Sequence, residues 1–174
     1  LTQAEVTASY ENATVPFADQ YGSQTSLVDA AASVFTSGTY SWAVDGSNTI
    51  GNVGSQLVIT YVDDARGAYN YLKNASDLTA DLTVGKRYRI EFDAKVTGDI
   101  GATMGVSSVS DSTGPVTLTG SLVSYSINFT ASSATGGYFH TADMASGNTV
   151  VVDNWYVREI GCVADYDLAF ANPT

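Results

Sequence analysis

The chain has 174 residues, a length that suits one β domain and leaves little room for a second. Hydrophobic residues make up 44%, enough for a packed core, whereas charged residues make up only 14%, below the roughly 25% of ordinary soluble domains. Seven Lys and Arg against eighteen Asp and Glu exclude nucleic acid and anionic membrane surfaces as partners, because both require clustered basic residues. The sequence holds no apolar run long enough for membrane insertion.

The first half of the chain predicts one short helix followed by strands. Ser26–Phe35 could form a helix with Ser26 as its N-cap. Strands are predicted over Tyr40–Val44, Leu57–Val62, Ala68–Lys73 and Lys86–Val96. The last of these alternates most clearly. It places one set of side chains inward, namely Tyr88, Ile90, Phe92, Ala94 and Val96, and a charged set outward.

The second half continues the same period of two. Strands are predicted over Thr103–Ser108, Val116–Leu118, Ser124–Thr130, Gly137–His140 and Asn148–Glu159. The turns between strands are rich in Gly, Asn, Asp and Ser. Eight to ten strands in one domain predict an all-β protein, a jelly-roll-like sandwich of two antiparallel sheets with at most one or two short helices.

Several segments resemble carbohydrate-binding modules that have a jelly-roll fold. Leu82–Lys95 resembles the central strand of that family through a leucine, a glycine-lysine pair, a tyrosine, a phenylalanine and an alanine-lysine pair. Gly67–Leu72, Tyr125–Ala131 and Val150–Val157 resemble the strand before it and two strands after it. The tail, Ala164–Thr174, looks like sequence that follows such modules in phage structural proteins.

This resemblance implies a sandwich domain over residues 1–163 with a C-terminal extension over residues 164–174. It implies a non-catalytic module of a larger virion-surface or secreted protein that attaches to a glycan or cell-surface polysaccharide. The alternative is a structural domain of a phage or extracellular filament, with homo-oligomer or virion partners and no sugar ligand. An enzyme is not expected, since the sequence has none of the common catalytic motifs and only one histidine, His140, expected to be an ordinary strand residue.

The predicted sugar site consists of aromatic and basic residues. Pyranose rings stack their C–H faces on flat aromatic side chains, while polar side chains bind the hydroxyls. On this basis the site would contain Trp42, Tyr69, Tyr71, Lys73, Arg87 and Arg89, with Arg87 and Arg89 on the same sheet face as the tyrosines. The alternative is that these tyrosines are ordinary strand residues and the charges ordinary cross-strand pairs.

A metal site is implied at Asp153. Its parity with Val151, Trp155 and Val157 predicts that its side chain faces the core or its rim, where a carboxylate needs hydrogen bonds or a metal. In the resembled family the matching aspartate helps to hold one structural calcium ion together with an N-terminal acidic residue, here Glu11. The alternative is an aspartate that accepts hydrogen bonds from loop amides. Trp155 is expected in the core.

Overall fold

The strands of the computed structural model form two stacked antiparallel sheets, and the all-β sandwich is confirmed. The structure describes residues 25–63, 67–98, 101–142 and 144–160. Glu11 and the predicted extension over residues 164–174 lie outside them. No helix in these four ranges is long and apolar enough to span a membrane.

The described residues contain eleven strands and one helix. The elements are α1 (Ala30–Ser33), β1 (Ala43–Val44), β2 (Thr49–Asn52), β3 (Leu57–Thr60), β4 (Ala68–Tyr71), β5 (Arg87–Thr97), β6 (Thr103–Ser107), β7 (Asp111–Ser112), β8 (Val116–Thr117), β9 (Val123–Thr130), β10 (Tyr138–Thr141) and β11 (Thr149–Glu159). The five-stranded sheet has the order β1-β4-β10-β6-β8, and the six-stranded sheet has the order β2-β3-β11-β5-β9-β7. Strands β2 and β7 were not predicted from the sequence.

The predicted helix is shorter than expected. Only one turn forms, and Asp29 rather than Ser26 caps it, since Asp29 Oδ1 accepts hydrogen bonds from the backbone N–H groups of Ala31 and Ala32. The preceding residues are held extended because the Leu27 N–H donates to the Val157 carbonyl at 2.7 Å. Ser26 Oγ accepts from the Val157 N–H at 3.3 Å, so Ser26 tethers this segment to β11.

The core lies between the sheets and consists of the side chains that alternation predicts. In β5 every second residue from Tyr88 to Val96 is buried, and the residues between them are half-buried on the outer face. Ile127 and Phe129 of β9 are fully buried beside them, with Phe129 stacked on Tyr88 at a ring-centroid distance of 5.6 Å. The predicted inward set of β5 is therefore confirmed.

Strand β11 contains a β-bulge that changes its parity. Asp153 is paired with Asp93 and Tyr156 with Glu91, so two residues of β11 oppose one residue of β5. Asn154 adopts a positive φ of 48°, which asparagine tolerates better than most residues. Beyond the bulge, Trp155 is fully buried, as expected.

Candidate functional site

Three tyrosines lie together on the outer face of the five-stranded sheet. Tyr69 and Tyr71 are on β4, and Tyr138 is directly opposite Tyr71 on β10. Their ring centroids are 5.5 Å (Tyr69–Tyr71), 6.3 Å (Tyr69–Tyr138) and 6.0 Å (Tyr71–Tyr138) apart. We call these three residues the tyrosine face.

The rings of the tyrosine face are arranged edge to face. Their interplanar angles are between 68° and 84°, an arrangement that aromatic quadrupoles favour. Tyr71 is the most open of the three, with 41% of its surface exposed. The three rings are therefore steeply tilted to one another, with Tyr71 the most exposed residue, and they do not form a flat platform of coplanar rings.

Polar groups border the tyrosine face on two sides. The Lys73 ammonium nitrogen is 4.9 Å from the Tyr71 ring centroid, within the range of a cation–π contact. On the other side, the His140 ring is 5.4 Å from that of Tyr138, and His140 Nε2 is 2.8 Å from Ser107 Oγ. A ligand on the tyrosine face would have an ammonium donor at one edge and an imidazole–hydroxyl pair at the other.

Buried hydrogen bonds hold β4 and β10 in this register. Thr141 Oγ1 accepts from the Ala68 N–H at 3.0 Å and from the Tyr61 hydroxyl at 2.6 Å. Tyr61 fits there only because residue 67 is glycine, since a Cβ at Gly67 would lie 2.2 Å from the Tyr61 hydroxyl oxygen. The inward side chains of these strands thus fix where their outward tyrosines meet.

Trp42 does not belong to this surface, and its predicted role as an exposed sugar platform is wrong. It is only 4% exposed and lies between the sheets. Its ring packs edge-on against Phe139 at 5.6 Å and Trp155 at 5.8 Å. Only Ala43 and Val44 of the predicted strand join the sheet, and the preceding loop turns Trp42 into the core.

Arg87 and Arg89 lie in the other layer of the sandwich, so the prediction that they share a sheet face with the tyrosines is also wrong. Both are on β5 of the six-stranded sheet, whereas β4 belongs to the five-stranded sheet. Arg89 Nε donates to Asn128 Oδ1 at 2.9 Å, and Arg87 is exposed near the start of the strand. Of the predicted sugar-binding residues, the structure brings together Tyr69, Tyr71 and Lys73.

Tyr138, His140 and Ser107 were missed as site residues. The sequence does show the alternation Tyr138-Phe139-His140, which places Tyr138 and His140 on one face. What it does not show is the partner strand, because β10 pairs with β4 about seventy residues earlier in the chain. The one feature of the sequence that could have indicated these site residues was a short predicted strand that contains a tyrosine.

Asp153 is half-buried on the outer face of the six-stranded sheet, and the prediction that it shares the orientation of Trp155 and Val157 is wrong. The bulge at Asn154 inserts one residue and reverses the parity beyond it. Asp153 Oδ1 accepts from the Asn154 N–H at 2.8 Å, and Oδ2 accepts from Gln56 Nε2 at 3.1 Å. The carboxylate thus has amide partners.

The described residues around Asp153 do not by themselves fit a calcium ion. Calcium takes six to eight oxygen ligands, and no group of three or more His, Cys, Asp or Glu that could hold a metal occurs within the described ranges. The further ligands would have to come from elsewhere, such as Glu11, which lies outside those ranges.

One structural calcium at Asp153 and Glu11 stays a prediction that thermal melts can check. An ion bound only by the native state stabilises it by about 2.7 kcal/mol at a hundredfold excess over Kd. This corresponds to a rise of roughly 5–10 °C in Tm for a domain of this size. Asp153→Asn should remove the rise. Equal Tm values in calcium and in chelator would contradict the prediction.

The sequence matches no protein-family model and no curated protein. Among solved structures, the fold is similar to the CBM22-1–CBM22-2 tandem of Paenibacillus barcinonensis Xyn10C, with a TM-score of 0.55 and 11% identity over 83% of this chain and 47% of that one. It is also similar to the single xylan-binding CBM22-1 domain of the same protein (TM-score 0.52, 11% identity, 68% of this chain and 85% of that one).

A further similar structure is CBM1 of BiXyn10A in its apo form, with a TM-score of 0.51 and 16% identity over 72% of this chain and 94% of that one. The chain has the fold of carbohydrate-binding modules. At identities of 11–16% the similarity is one of fold, and it covers most of each single module. The fold expected from the sequence resemblance is thereby confirmed.

Proposed function

We propose that this protein is a non-catalytic carbohydrate-binding module that holds a glycan on its tyrosine face. The observation that carries the proposal is the cluster of Tyr69, Tyr71 and Tyr138, gathered from two strands on the outside of a sheet whose other side forms the core. Aromatic side chains at a water-exposed position retain a large apolar surface and a polar hydroxyl, which suits a ligand with the same two properties.

The geometry of the cluster indicates how a sugar would lie. Because the rings are steeply tilted to one another, one pyranose can stack on only one of them, and Tyr71 is the most exposed residue of the three. The tyrosine hydroxyls, the Lys73 ammonium and the Ser107–His140 pair then surround the hydroxyl groups of the sugar. Such a site places one sugar firmly and contacts its neighbours more weakly.

Three further points support the proposal. One of the modules with the same fold is a xylan-binding domain, which makes β-1,4-linked neutral glycans the first probes. No common catalytic motif occurs in the sequence, which supports binding without turnover. The low share of charged residues and the resemblance of residues 164–174 to phage structural sequence support a place in a larger virion-surface or secreted protein.

The proposal predicts that Tyr71→Ala and Tyr138→Ala each weaken binding of xylohexaose or cellohexaose at least tenfold, or about 1.4 kcal/mol. The reason is the loss of stacking area and, for Tyr138, of the contact with His140. Isothermal titration calorimetry on the whole chain measures the affinity. Arg87→Ala is the control, since Arg87 lies in the other sheet and should change Kd less than twofold.

Two outcomes would contradict the proposal. If Arg87→Ala weakens binding as much as Tyr71→Ala does, the sugar is not on the tyrosine face. If the wild-type chain binds no member of a broad glycan array, the alternative of a structural or assembly domain without a sugar ligand is favoured. In that case the tyrosine face would be an interface with homo-oligomer or virion partners.

A further inference from the structure

A second concave surface lies on the opposite side of the sandwich, on the outer face of the six-stranded sheet. It has a volume of about 540 Å³, within the roughly 300–1,000 Å³ of small-molecule sites. It crosses three adjacent strands, β9, β5 and β11. We call it the outer groove, and its polar lining consists of Glu91, Asp93, Ser124, Ser126, Asn154, Tyr156 and Arg158.

The β-bulge in β11 aims side chains into the outer groove. Asn154, at its positive φ, donates from Nδ2 to Asp93 Oδ2 at 2.8 Å across the strand pair. Because of the extra residue, Tyr156 comes to lie opposite Glu91 on the outer face, beside Asn154. Bulges commonly re-aim side chains next to functional sites, and here the irregularity falls in the middle of the longest strand pair.

Most of the polar groups in the outer groove are held in place by one another. The Arg158 guanidinium pairs with the Glu91 carboxylate and lies 4.8 Å from the Tyr156 ring centroid. Asp93 Oδ1 accepts from Ser124 Oγ at 2.5 Å. Each carboxylate oxygen has two lone pairs, so Asp93 keeps acceptor capacity for the hydroxyl groups of a ligand while its own position is fixed.

We propose that the outer groove is a second carbohydrate-binding site, specific for uncharged sugars. Carboxylates that accept from hydroxyls, a guanidinium and an amide that donate, and an aromatic ring at the wall are the groups that recognise neighbouring hydroxyls on a sugar ring. The proposal does not rest on the tyrosine face, since the two surfaces belong to different sheets and share no residue.

The charges in and beside the groove indicate a neutral ligand. Glu91 and Asp93 are balanced by Arg158 in the lining and by Arg89, which lies directly opposite Arg158 on the neighbouring strand. A phosphate or uronate would meet two carboxylates, and an ammonium ligand would meet two guanidinium groups. A sugar without charge meets neither repulsion.

The concentration of charge on this face is unusual for the chain. Only 14% of the residues are charged, yet four of the seven Lys and Arg residues are on β5 and β11, namely Arg87, Arg89, Lys95 and Arg158. An outer sheet face needs polar residues but not ionic ones, and this sequence is rich in uncharged Ser, Thr, Gly and Asn. Of these four, Arg158 lines the groove together with the carboxylates of Glu91 and Asp93.

The test is a residue-resolved titration of the whole chain by amide NMR, with xylohexaose and cellohexaose as neutral probes and hexagalacturonate as the charged probe. A neutral probe is expected to shift the amides of Ser124, Ser126 and Tyr156. Ser126→Trp should fill the groove. The apparent Kd fitted from the shifts of the remaining groove amides should then rise at least tenfold. Thr97→Trp is the matched control, because Thr97 is exposed on the outer face of β5 and outside the groove.

A second variant tests the polar contacts of the groove without filling it. Glu91→Gln keeps the shape of the side chain but removes the ion pair with Arg158. It should weaken the binding of neutral sugars at the groove severalfold. Groove shifts that survive Ser126→Trp, or that appear only with hexagalacturonate, would overturn the proposal, as would their absence with both neutral probes.

The two proposals fail separately. Tyr71→Ala should leave the groove shifts intact, because the tyrosine face lies on the other sheet. Shifts at the groove without shifts at Tyr69, Tyr71 and Tyr138 would contradict sugar binding at the tyrosine face and support binding at the groove. Shifts confined to the tyrosine face would contradict binding at the groove and support binding at the tyrosine face.

Discussion

Trp155→Ala is expected to lower the free energy of unfolding by about 3–5 kcal/mol, the usual cost of truncating a buried tryptophan. Trp155 is fully buried and is the largest such side chain in the core. Its ring packs against Trp42 and Phe139, and its indole N–H donates to the Ala32 carbonyl at 3.1 Å. The replacement therefore opens a cavity between the sheets and also frees α1 from β11.

This loss would be a large part of the free energy of unfolding, since domains are stable by only about 5–15 kcal/mol. Chemical denaturation gives the free energy, and Tm should fall by roughly 6–20 °C. Tyr156→Ala is the matched control, because Tyr156 is the next residue but lies on the outer face. Its loss should cost about 0.5–1 kcal/mol through its contact with Arg158. Equal losses in the two variants would contradict the parity that the bulge imposes.

Alternation in β5 and β9 was predictable because each strand is regular and one side faces the core. Tyr88, Phe92 and Phe129 are buried as their spacing requires. In β11 the same reasoning failed at Asp153. Trp155 and Val157 face the core as expected, but Asn154, in a left-handed conformation, adds one residue and so gives Asp153 the opposite orientation. Asparagine is a common residue at such positions, but nothing else in the local sequence marks the bulge.

The candidate site was only partly predictable, because it depends on which strands become neighbours. Tyr69 and Tyr71 share a face by local parity, but Tyr138 joins them only through the pairing of β4 with β10. The outward residues of β5, Arg89 among them, are charged, as they would be in a strand that binds sugar hydroxyls. However, β5 belongs to the six-stranded sheet and not to the sheet that carries the tyrosines. Trp42 shows the same limit, since an aromatic residue beside a short strand is compatible with either the core or the surface.

The buried carboxylate of Asp77 connects the core to the tyrosine face. Both its oxygens accept from the Ser41 N–H, at 3.1 and 3.3 Å, and Oδ2 also accepts from Asn70 Nδ2 at 2.6 Å. Asn70 is fully buried between the two outward tyrosines of β4. The carboxylate thus ties the loop that carries Trp42 to the strand that carries Tyr69 and Tyr71.

Asp77→Ala is expected to cost about 1.5–4.5 kcal/mol, because the buried Asn70 amide loses its acceptor, at about 1–3 kcal/mol, and the Ser41 N–H, in an exposed residue, loses a bond worth about 0.5–1.5 kcal/mol. Asp77→Asn should cost less, since the new amide keeps one acceptor oxygen and the Asn70 amide can turn to accept from it. Denaturant unfolding of both variants measures the difference. Asp81→Ala is the control. Asp81 is exposed and accepts only from the Asn74 N–H among the hydrogen bonds of the described residues, so it should cost about 1 kcal/mol or less.

The double variant Asp77→Ala/Asn70→Ala tests the network itself. Removing Asn70 also removes one of the donors that Asp77→Ala leaves unsatisfied, so the double loss should be smaller than the sum of the single losses by about 0.5–3 kcal/mol. Strict additivity would mean that the two residues act independently, which their 2.6 Å contact argues against. Because Asn70 lies between the outward tyrosines, the same variants should weaken glycan binding at the tyrosine face while leaving the outer groove unchanged. The loss of the buried Asp77 carboxylate would then weaken binding on the five-stranded sheet and leave binding on the six-stranded sheet unchanged.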